Sequence, residues 1–263
     1  MESKTLFGIR VDPISMRDTI AWVAKSIKSK TSSKIIVVVN AAKVIKARKD
    51  LRLKRAIESA DLVPPDGVPI VWASRLLGNP LPGQVAGIDL MFALFAEGNR
   101  QSWSVFLLGA NEEVIQKVGD IVRIRYPNMR IAGLRNGYFS AEEEPKIVRA
   151  IARARANVLF LGFGSPEKEY FAGRWKEELR VNVIHGVGGA FDILAGKTMR
   201  APVWMQRAGL EWFFRLLQEP RRMFWRYLTT NTAFLLLLCK ELVTSYLVRR
   251  FPGMSSRGSG GKR

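Results

Sequence analysis

Val181-Asn182-Val183-Ile184-His185-Gly186-Val187-Gly188-Gly189-Ala190-Phe191-Asp192 is the stretch that decides the fold. The apolar run Val181 to Ile184 predicts a buried strand, and the glycines after it predict a tight turn into a short helix. Such a turn aims unpaired backbone N–H groups at whatever lies beyond the strand end, which suits a diphosphate. The same unit recurs upstream. Val105 to Leu108 precedes Gly109 and a helix from Glu112 to Arg125. Arg130 to Leu134 precedes Asn136-Gly137-Tyr138-Phe139, and Ser140-Ala141-Glu142-Glu143 caps the next helix. Val158 to Leu161 precedes Gly162-Phe163-Gly164-Ser165-Pro166 and a helix from Glu167. Strands alternating with helices on short loops predict an α/β, doubly wound, mostly parallel sheet of Rossmann-like type.

Further toward the N-terminus, Thr5 to Val11 reads as a first strand or hairpin, and Ser15-Met16-Arg17-Asp18 as a helix cap. Lys34 to Val39 is a β-branched run typical of a strand covered on both faces, ending at Asn40. One or two helices follow to Ala60. Leu62-Val63 is a strand end stopped by Pro64-Pro65-Asp66-Gly67, and Val68 to Leu77 and Ile88 to Ala96 read as helices. Open sheets of this kind bind ligands beyond the carboxyl ends of their strands. Those ends carry Asn40, Asp66-Gly67, Gly109, Gly137-Tyr138, Gly164 to Glu169 and Gly186 to Asp192, which are expected to converge on one crevice.

The 263 residues suffice for one large domain with an appendage, and 48% hydrophobic content excludes wholesale disorder. The charge is less ordinary. Forty-two Lys and Arg face 23 Asp and Glu, a net +19, which calls for an anionic partner: nucleic acid, anionic lipid or a diphosphate. From Lys197 onward there are 13 Lys or Arg against three Glu, so about half the excess sits in the last quarter. A single cysteine and a single histidine exclude a disulfide framework and a multi-histidine metal site, leaving acid–base chemistry to carboxylates. No apolar signal segment opens the chain. The apolar stretch Tyr227 to Cys239 falls short of the ~20 residues a bilayer span requires, and suits a surface-lying helix instead. The expected organisation is a core over residues 1–196, a membrane-associating helical appendage over 197–250 that completes the active site, and a disordered basic tail over 251–263.

Each candidate has a plain structural alternative. Asp66 follows two stiff prolines and precedes a glycine that permits close ligand approach, but Asp-Gly is also a common turn. The turn at Gly188 and Gly189 lacks a complete dinucleotide fingerprint, and Asp192 serves either as a cap or as an acceptor from a base or sugar. Tyr138 either stacks on a nucleobase or anchors its loop. Lys168 and Glu169, near a helix start, are expected to be solvated. His185 reads as a satisfied structural histidine, and Asp89 as a helix start. The tail is harder to treat as bland. Arg215, Arg221, Arg222 and Arg226 interleave with Trp212, Phe213, Phe214, Phe224 and Trp225, and each cation near an anionic leaflet contributes about 1 kcal/mol.

Several motifs together closely resemble the WecG/TagA/CpsF family of bacterial glycosyltransferases (family 26). They are Asn40-Ala41, Ala60 to Gly67, Val85 to Leu90, Gly137-Tyr138-Phe139, Gly164-Ser165-Pro166 with Glu169, Gly186 to Asp192, Arg200-Ala201-Pro202, and Leu210 through Arg222. The resemblance implies inverting, metal-independent transfer of a hexose from a UDP-sugar to a saccharide on a polyprenyl diphosphate, with no cofactor. It implies Asp66 as general base, Arg215 and Arg222 as catalytic cations closing over the site, and Gly137, Tyr138, Lys168, Gly188, Gly189 and Asp192 around UDP. Val38, Asn40, Gln84 and Asp89 would lie toward the acceptor, and Trp212, Phe213, Arg221, Phe224, Trp225 and Arg226 on the membrane. A peripheral position on the cytoplasmic face of the bacterial inner membrane follows, with homo-oligomerisation possible and no nucleic-acid partner. Three residues depart from the family pattern: Val38 replaces a Thr, Gln84 an Arg and Lys168 a Gln. Losing polar groups at Val38 and Gln84 favours a plain hexose such as glucose over N-acetylmannosamine or its uronic acid. Competing expectations are a degenerate, UDP-binding member and a non-catalytic membrane or nucleic-acid binder.

Overall fold

The computed structural model describes residues 2–29 and 32–250, apart from the side chains at 222, 226 and 245–250; the expected tail at 251–263 lies outside the described residues. Five parallel strands form the sheet: β3 (Lys34–Ile36), β4 (Ser104–Gly109), β5 (Arg130–Arg135), β6 (Val158–Gly162) and β7 (Val183–Gly186). Their spatial order is β3-β7-β6-β4-β5, preceded in the chain by a small antiparallel hairpin, β1 (Lys4–Leu6) with β2 (Ile9–Val11). From β4 the chain steps outward to β5, then returns across β4 to β6. The crevice of such a sheet opens at that reversal, beyond the ends of β4 and β6. There Gly109, at φ +138°, lies so close to Gly162 that an added Cβ would sit 2.5 Å from its backbone.

Side chains alternate across the sheet into two cores. On one face Ile35, Leu108, Leu159 and Ile184 pack beneath α2 (Ala41–Lys49), α3 (Leu51–Glu58), α7 (Glu144–Ala154) and α8 (Glu167–Arg174). On the other, Ile36, Val105, Phe160 and Val183 pack against α1 (Met16–Ser29), α5 (Gly87–Arg100), α6 (Glu112–Arg125) and α9 (Ala190–Leu194). The doubly wound expectation holds. The strand expected at Val181 to Ile184 lies two residues later, because Val183 is the residue that pairs in register with both Lys34 and Val158.

The run Lys34 to Val39 is a regular strand only to Ile36, but it does not stop there. Val37 N–H donates to Leu62 O (3.0 Å), Val39 N–H to Pro64 O (2.9 Å), and Asp66 N–H to Val39 O (2.8 Å). Leu62 to Asp66 thus lies along the outer edge of the sheet, where prolines without N–H groups are tolerated. Asp12, just past the hairpin, clamps this edge by accepting from Val63 N–H at 2.7 Å and donating its own N–H to Val63 O.

The C-terminal part consists of α10 (Val203–Arg207), α11 (Glu211–Gln218) and α12 (Pro220–Arg250), after α4 (Val68–Leu76) in the core. α12 is no detached appendage. Phe234 and Leu237 are buried in the first core, and the Phe234 ring meets Phe7 of the hairpin at 5.1 Å between centroids. The packing therefore does not break at residue 196. Nor does the stretch Tyr227 to Cys239 lie wholly on a surface: Phe234 and Leu237 face α2 while Leu235 and Leu236 are exposed. Among the described residues, no helix is long and apolar enough to cross a membrane.

Candidate active site

Asn40 ends the inner run and caps α2, its Oδ1 accepting from Lys43 N–H at 3.0 Å. Its side-chain amide is left pointing at Asp66 and donates to Oδ2 at 3.3 Å. The same side chain thus starts a helix and holds a carboxylate. Asp66 is half-buried as a residue, with its carboxyl packed inward among neighbouring groups. Burial raises its carboxyl above the ordinary range. Asn40, Lys43 and Lys168 pull it back, whereas Glu211 of α11 raises it further. A carboxylate so placed and reluctant to ionise is a fitting general base.

Behind it lies a polar network that composition does not reveal. Lys43 and Glu169 form an ion pair of 2.7 Å, with side chains only 6% and 3% exposed. Lys43 Nζ also donates to Val38 O at 2.7 Å. Although burial opposes ionisation of Glu169, Lys43 and Lys168 hold its carboxyl below the ordinary range. Glu169 is therefore not solvated, contrary to expectation. Lys168 is half-buried rather than solvated. Burial and the neighbouring Lys43 lower its ammonium to about 8.

Lys168 joins Asp66 to the glycine turn. Its Nζ lies 3.2 Å from where a Cβ on Gly188 would be, and its Cδ 2.8 Å from one on Gly186. Gly188 has φ +56°, so a side chain here would be strained and would press on that ammonium. The turn differs from the expected cradle in one respect. Val187 and Gly188 both donate their N–H groups to Leu161 O, which leaves Gly189 N–H as the nearest amide without an intramolecular partner among the described residues. His185, fully buried, pairs Nε2 with Gly87 O at 3.1 Å, and burial lowers its pKa to about 4, so it stays neutral. That fits a structural histidine, but not a fully satisfied one, since its buried Nδ1 has no hydrogen-bond partner among the described residues.

Next to the turn is a cleft of about 120 Å³ lined by Gly189, Asp192, Lys197, Thr198, Gln218 and Arg215. Arg215 is exposed and has no ion-pair partner among the described residues. Its helix is fixed one turn on, where the Gln218 amide both donates to and accepts from the Met199 backbone at 3.1 Å. Arg200 bonds Asp89 at 2.7 Å and approaches Glu211 at 3.6 Å, tying α11 to the start of α5. Asp89 thus anchors the C-terminal part as well as opening a helix.

The remaining candidates divide. Val85 N–H donates to Pro65 O at 2.6 Å, which sets half-buried Gln84 beside the Asp66 segment. Gly137 sits over Gly109 at the crevice, but Tyr138 is 77% exposed. Val38 does not join the site through its side chain, which is buried in the second core and would touch a Cβ on Gly87 at 3.4 Å. Alternation along the strand sends Val38 to the same face as Ile36. Trp212 is half-buried between the Phe213 and Tyr227 rings, while Phe213, Arg221, Phe224 and Trp225 are exposed. The side chains of Arg222 and Arg226 lie outside the described residues. Sequence reasoning missed Lys43, Arg200 as a tie and Glu211 as a neighbour of Asp66. For Lys43 the signal is its place on the buried stripe of α2 with Val44 and Ala47. Among the described residues, no three His, Cys, Asp or Glu side chains cluster as a metal-ligand set.

Comparison with known proteins gives this geometry its context. The family model for glycosyl transferases of the WecG/TagA/CpsF family matches residues 4–247. A Bacillus subtilis (strain 168) protein, N-acetylglucosaminyldiphosphoundecaprenol N-acetyl-beta-D-mannosaminyltransferase, is 31% identical over 241 residues, covering 92% of this chain and 93% of its own. The protein of the same name from Bacillus spizizenii (strain ATCC 23059 / NRRL B-14472 / W23) is 34% identical over 191 residues, 73% of each chain. The chain belongs to the WecG/TagA/CpsF family of glycosyltransferases.

Proposed function

We propose that the protein transfers a hexose, with inversion, from a UDP-sugar to a saccharide carried on a polyprenyl diphosphate in the assembly of a bacterial cell-surface polysaccharide. The observation that carries this reading is the Asp66 carboxylate, raised by burial and held by Asn40, in the field of Lys168 beside the Gly188 turn. Asp66 takes the proton of the acceptor hydroxyl as that oxygen bonds to the anomeric carbon of the donor. The bond from that carbon to the diphosphate oxygen breaks, and the electron pair leaves on UDP. Gly189, Asp192, Gly137 and Tyr138 belong to the UDP side. Arg215, Arg222 and Lys168 meet the charge growing on the leaving diphosphate, the task a divalent metal performs in other transferases.

The acceptor reading is supported by the names of the two Bacillus relatives, which act on N-acetylglucosaminyldiphosphoundecaprenol. Those names favour N-acetylmannosamine as the donor sugar, whereas the losses at Val38 and Gln84 favour glucose. With Val38 buried, half of the argument for glucose falls away. The exposed Phe213, Phe224 and Trp225 with Arg221 support peripheral attachment to the cytoplasmic leaflet.

The test is UDP release from a panel of UDP-sugars with a polyprenyl-diphosphate-linked saccharide, in the presence and absence of EDTA. Asp66→Asn is expected to abolish turnover with an unchanged circular-dichroism spectrum, and EDTA to have no effect. Full activity in Asp66→Asn removes Asp66 as the base; loss of activity in EDTA removes the metal-free mechanism.

A further inference from the structure

α4 starts immediately after Asp66-Gly67, and its two faces do not suit a helix that meets only water. Ile70, Val71, Ala73 and Ser74 are buried. The opposite face carries Val68, Trp72, Arg75 and Leu76, at the i, i+4, i+7 and i+8 spacing of a single stripe. Trp72 is 54% and Leu76 62% exposed. Arg75 between them is exposed and has no ion-pair partner among the described residues.

α10 repeats the pattern, with Val203 60% and Trp204 65% exposed and Arg207 one turn on, also exposed. The two helices meet at the base of the stripe: a Cβ on Gly209, just past α10, would lie 3.0 Å from Val68 Cβ. From that corner the stripe runs outward along α4, with Trp72 about 6 Å and Leu76 about 12 Å beyond Val68 at 1.5 Å per residue. Neither helix carries an acidic residue.

We propose that α4 and α10 form a bilayer contact of the catalytic domain itself, additional to α11 and α12, which seats the Asp66 loop against an anionic leaflet. The inference rests on the membrane-acting reading above. Charge chooses the occupant. Two Trp-aliphatic-Arg faces without carboxylates complement anionic head groups, with indole rings at the depth where they partition best. A second copy docking on the same faces by a two-fold axis would set arginine against arginine. The contact also serves the chemistry: a lipid-linked diphosphate cannot rise far from the leaflet, so the base must be brought down to it.

The test is co-sedimentation of the full chain with vesicles of phosphatidylglycerol and phosphatidylcholine, and with phosphatidylcholine alone. Trp72→Ser with Leu76→Ser is expected to weaken binding to the anionic vesicles by at least about tenfold, as two large side chains no longer enter an apolar phase. Arg75→Gln is expected to weaken only the phosphatidylglycerol-dependent part. Turnover of a water-soluble, short-chain acceptor by both variants should stay within about twofold of the parent, because neither substitution touches the Asp66 cleft. Parent binding with undiminished binding by the double variant overturns this contact and leaves the α11–α12 attachment standing. A parent chain that ignores both vesicle types overturns the membrane reading itself. A double variant that changes self-association in the ultracentrifuge but not vesicle binding assigns the stripe to a second copy and overturns the proposal.

Discussion

Substitution of Glu169 by Gln should be among the most damaging single changes in the molecule, although it alters one atom's chemistry. The Lys43–Glu169 pair is 2.7 Å long and its side chains are 6% and 3% exposed. A neutral amide in place of the carboxylate would leave the Lys43 ammonium with no opposite charge in contact and the Val38 carbonyl as its close partner. Breaking a buried pair from one side typically costs ~3–5 kcal/mol, because an uncompensated charge stays behind. At ~2–4 °C per kcal/mol for a chain of this size, the melting temperature should fall by ~6–20 °C. Replacing both partners, Lys43→Met with Glu169→Leu, keeps the volume and removes both charges, so its stability should lie within ~2 kcal/mol of the parent. Urea unfolding followed by circular dichroism measures both. The double variant also has a functional signature, since it deletes a cation that lowers the Asp66 pKa. The Asp66 carboxyl should then ionise at higher pH, and the acidic limb of kcat/KM should move up with it. A Glu169→Gln variant that loses less than ~1 kcal/mol would mean that water reaches the pair and the buried-charge argument is wrong. A restored double variant whose acidic limb has not moved would mean that Lys43 does not act on Asp66.

Three further outcomes are expected. In the proposed reaction Lys168, held at about 8, meets the diphosphate as an ammonium, so kcat/KM should fall as pH rises past about 8; Lys168→Arg should remove that limb, and its persistence in the Arg variant assigns it to another group. His185 ionises at about 4 in the fold against 6.5 when free, so the unfolded chain binds the extra proton first. Its contribution is complete above about pH 6.5 and lost as pH falls toward 4, amounting to ~3 kcal/mol at 1.36 kcal/mol per unit. His185→Gln should flatten the urea-unfolding free energy by that order between pH 7 and 4.5, and an unchanged slope counts against it. Glu211→Gln removes a negative charge that raises the Asp66 pKa, so the acidic limb should move to lower pH; a limb that stays in place would show that α11 does not bear on the base.

What was legible in the sequence was what a local period can encode. The strand, glycine and helix units repeat at short range, and the carboxyl ends they predict are where Asn40, Asp66 and Gly188 stand. The prolines before Asp66 mark a stop in the apolar run, but not that this segment follows the outer edge of the sheet. Illegible were the contacts made across long separations. Lys43 and Glu169 are 126 positions apart, so each alone looks like a charge near a helix start. Val38 was misread because its identity, not its parity, was weighed; two residues from Ile36, it shares that residue's buried face. In α12 the five apolar residues from Phe234 to Leu238 point all round the helix, which hides the fact that Phe234 and Leu237 select the core.

The misreadings share a physical cause that bears on how the site works. The C-terminal helices look like an attachment because their cations and aromatic rings are so concentrated, yet one of their few acidic residues bears directly on Asp66. Glu211 raises the Asp66 pKa, and through Arg200 it is tied to Asp89 at the start of α5. Arg215 stands one turn after Glu211 on the same helix, in the cleft beside the glycine turn. In the proposed mechanism, docking of α11 therefore does two things at once: it brings a negative charge toward Asp66, the base, and a positive one toward the cleft beside the glycine turn, where the diphosphate would leave. Neither effect is available to a core lacking that helix. On that mechanism, a base made stronger and a leaving group made better by the same rigid element would tie chemical competence to the seating of α11, which also carries the exposed Phe213 outward.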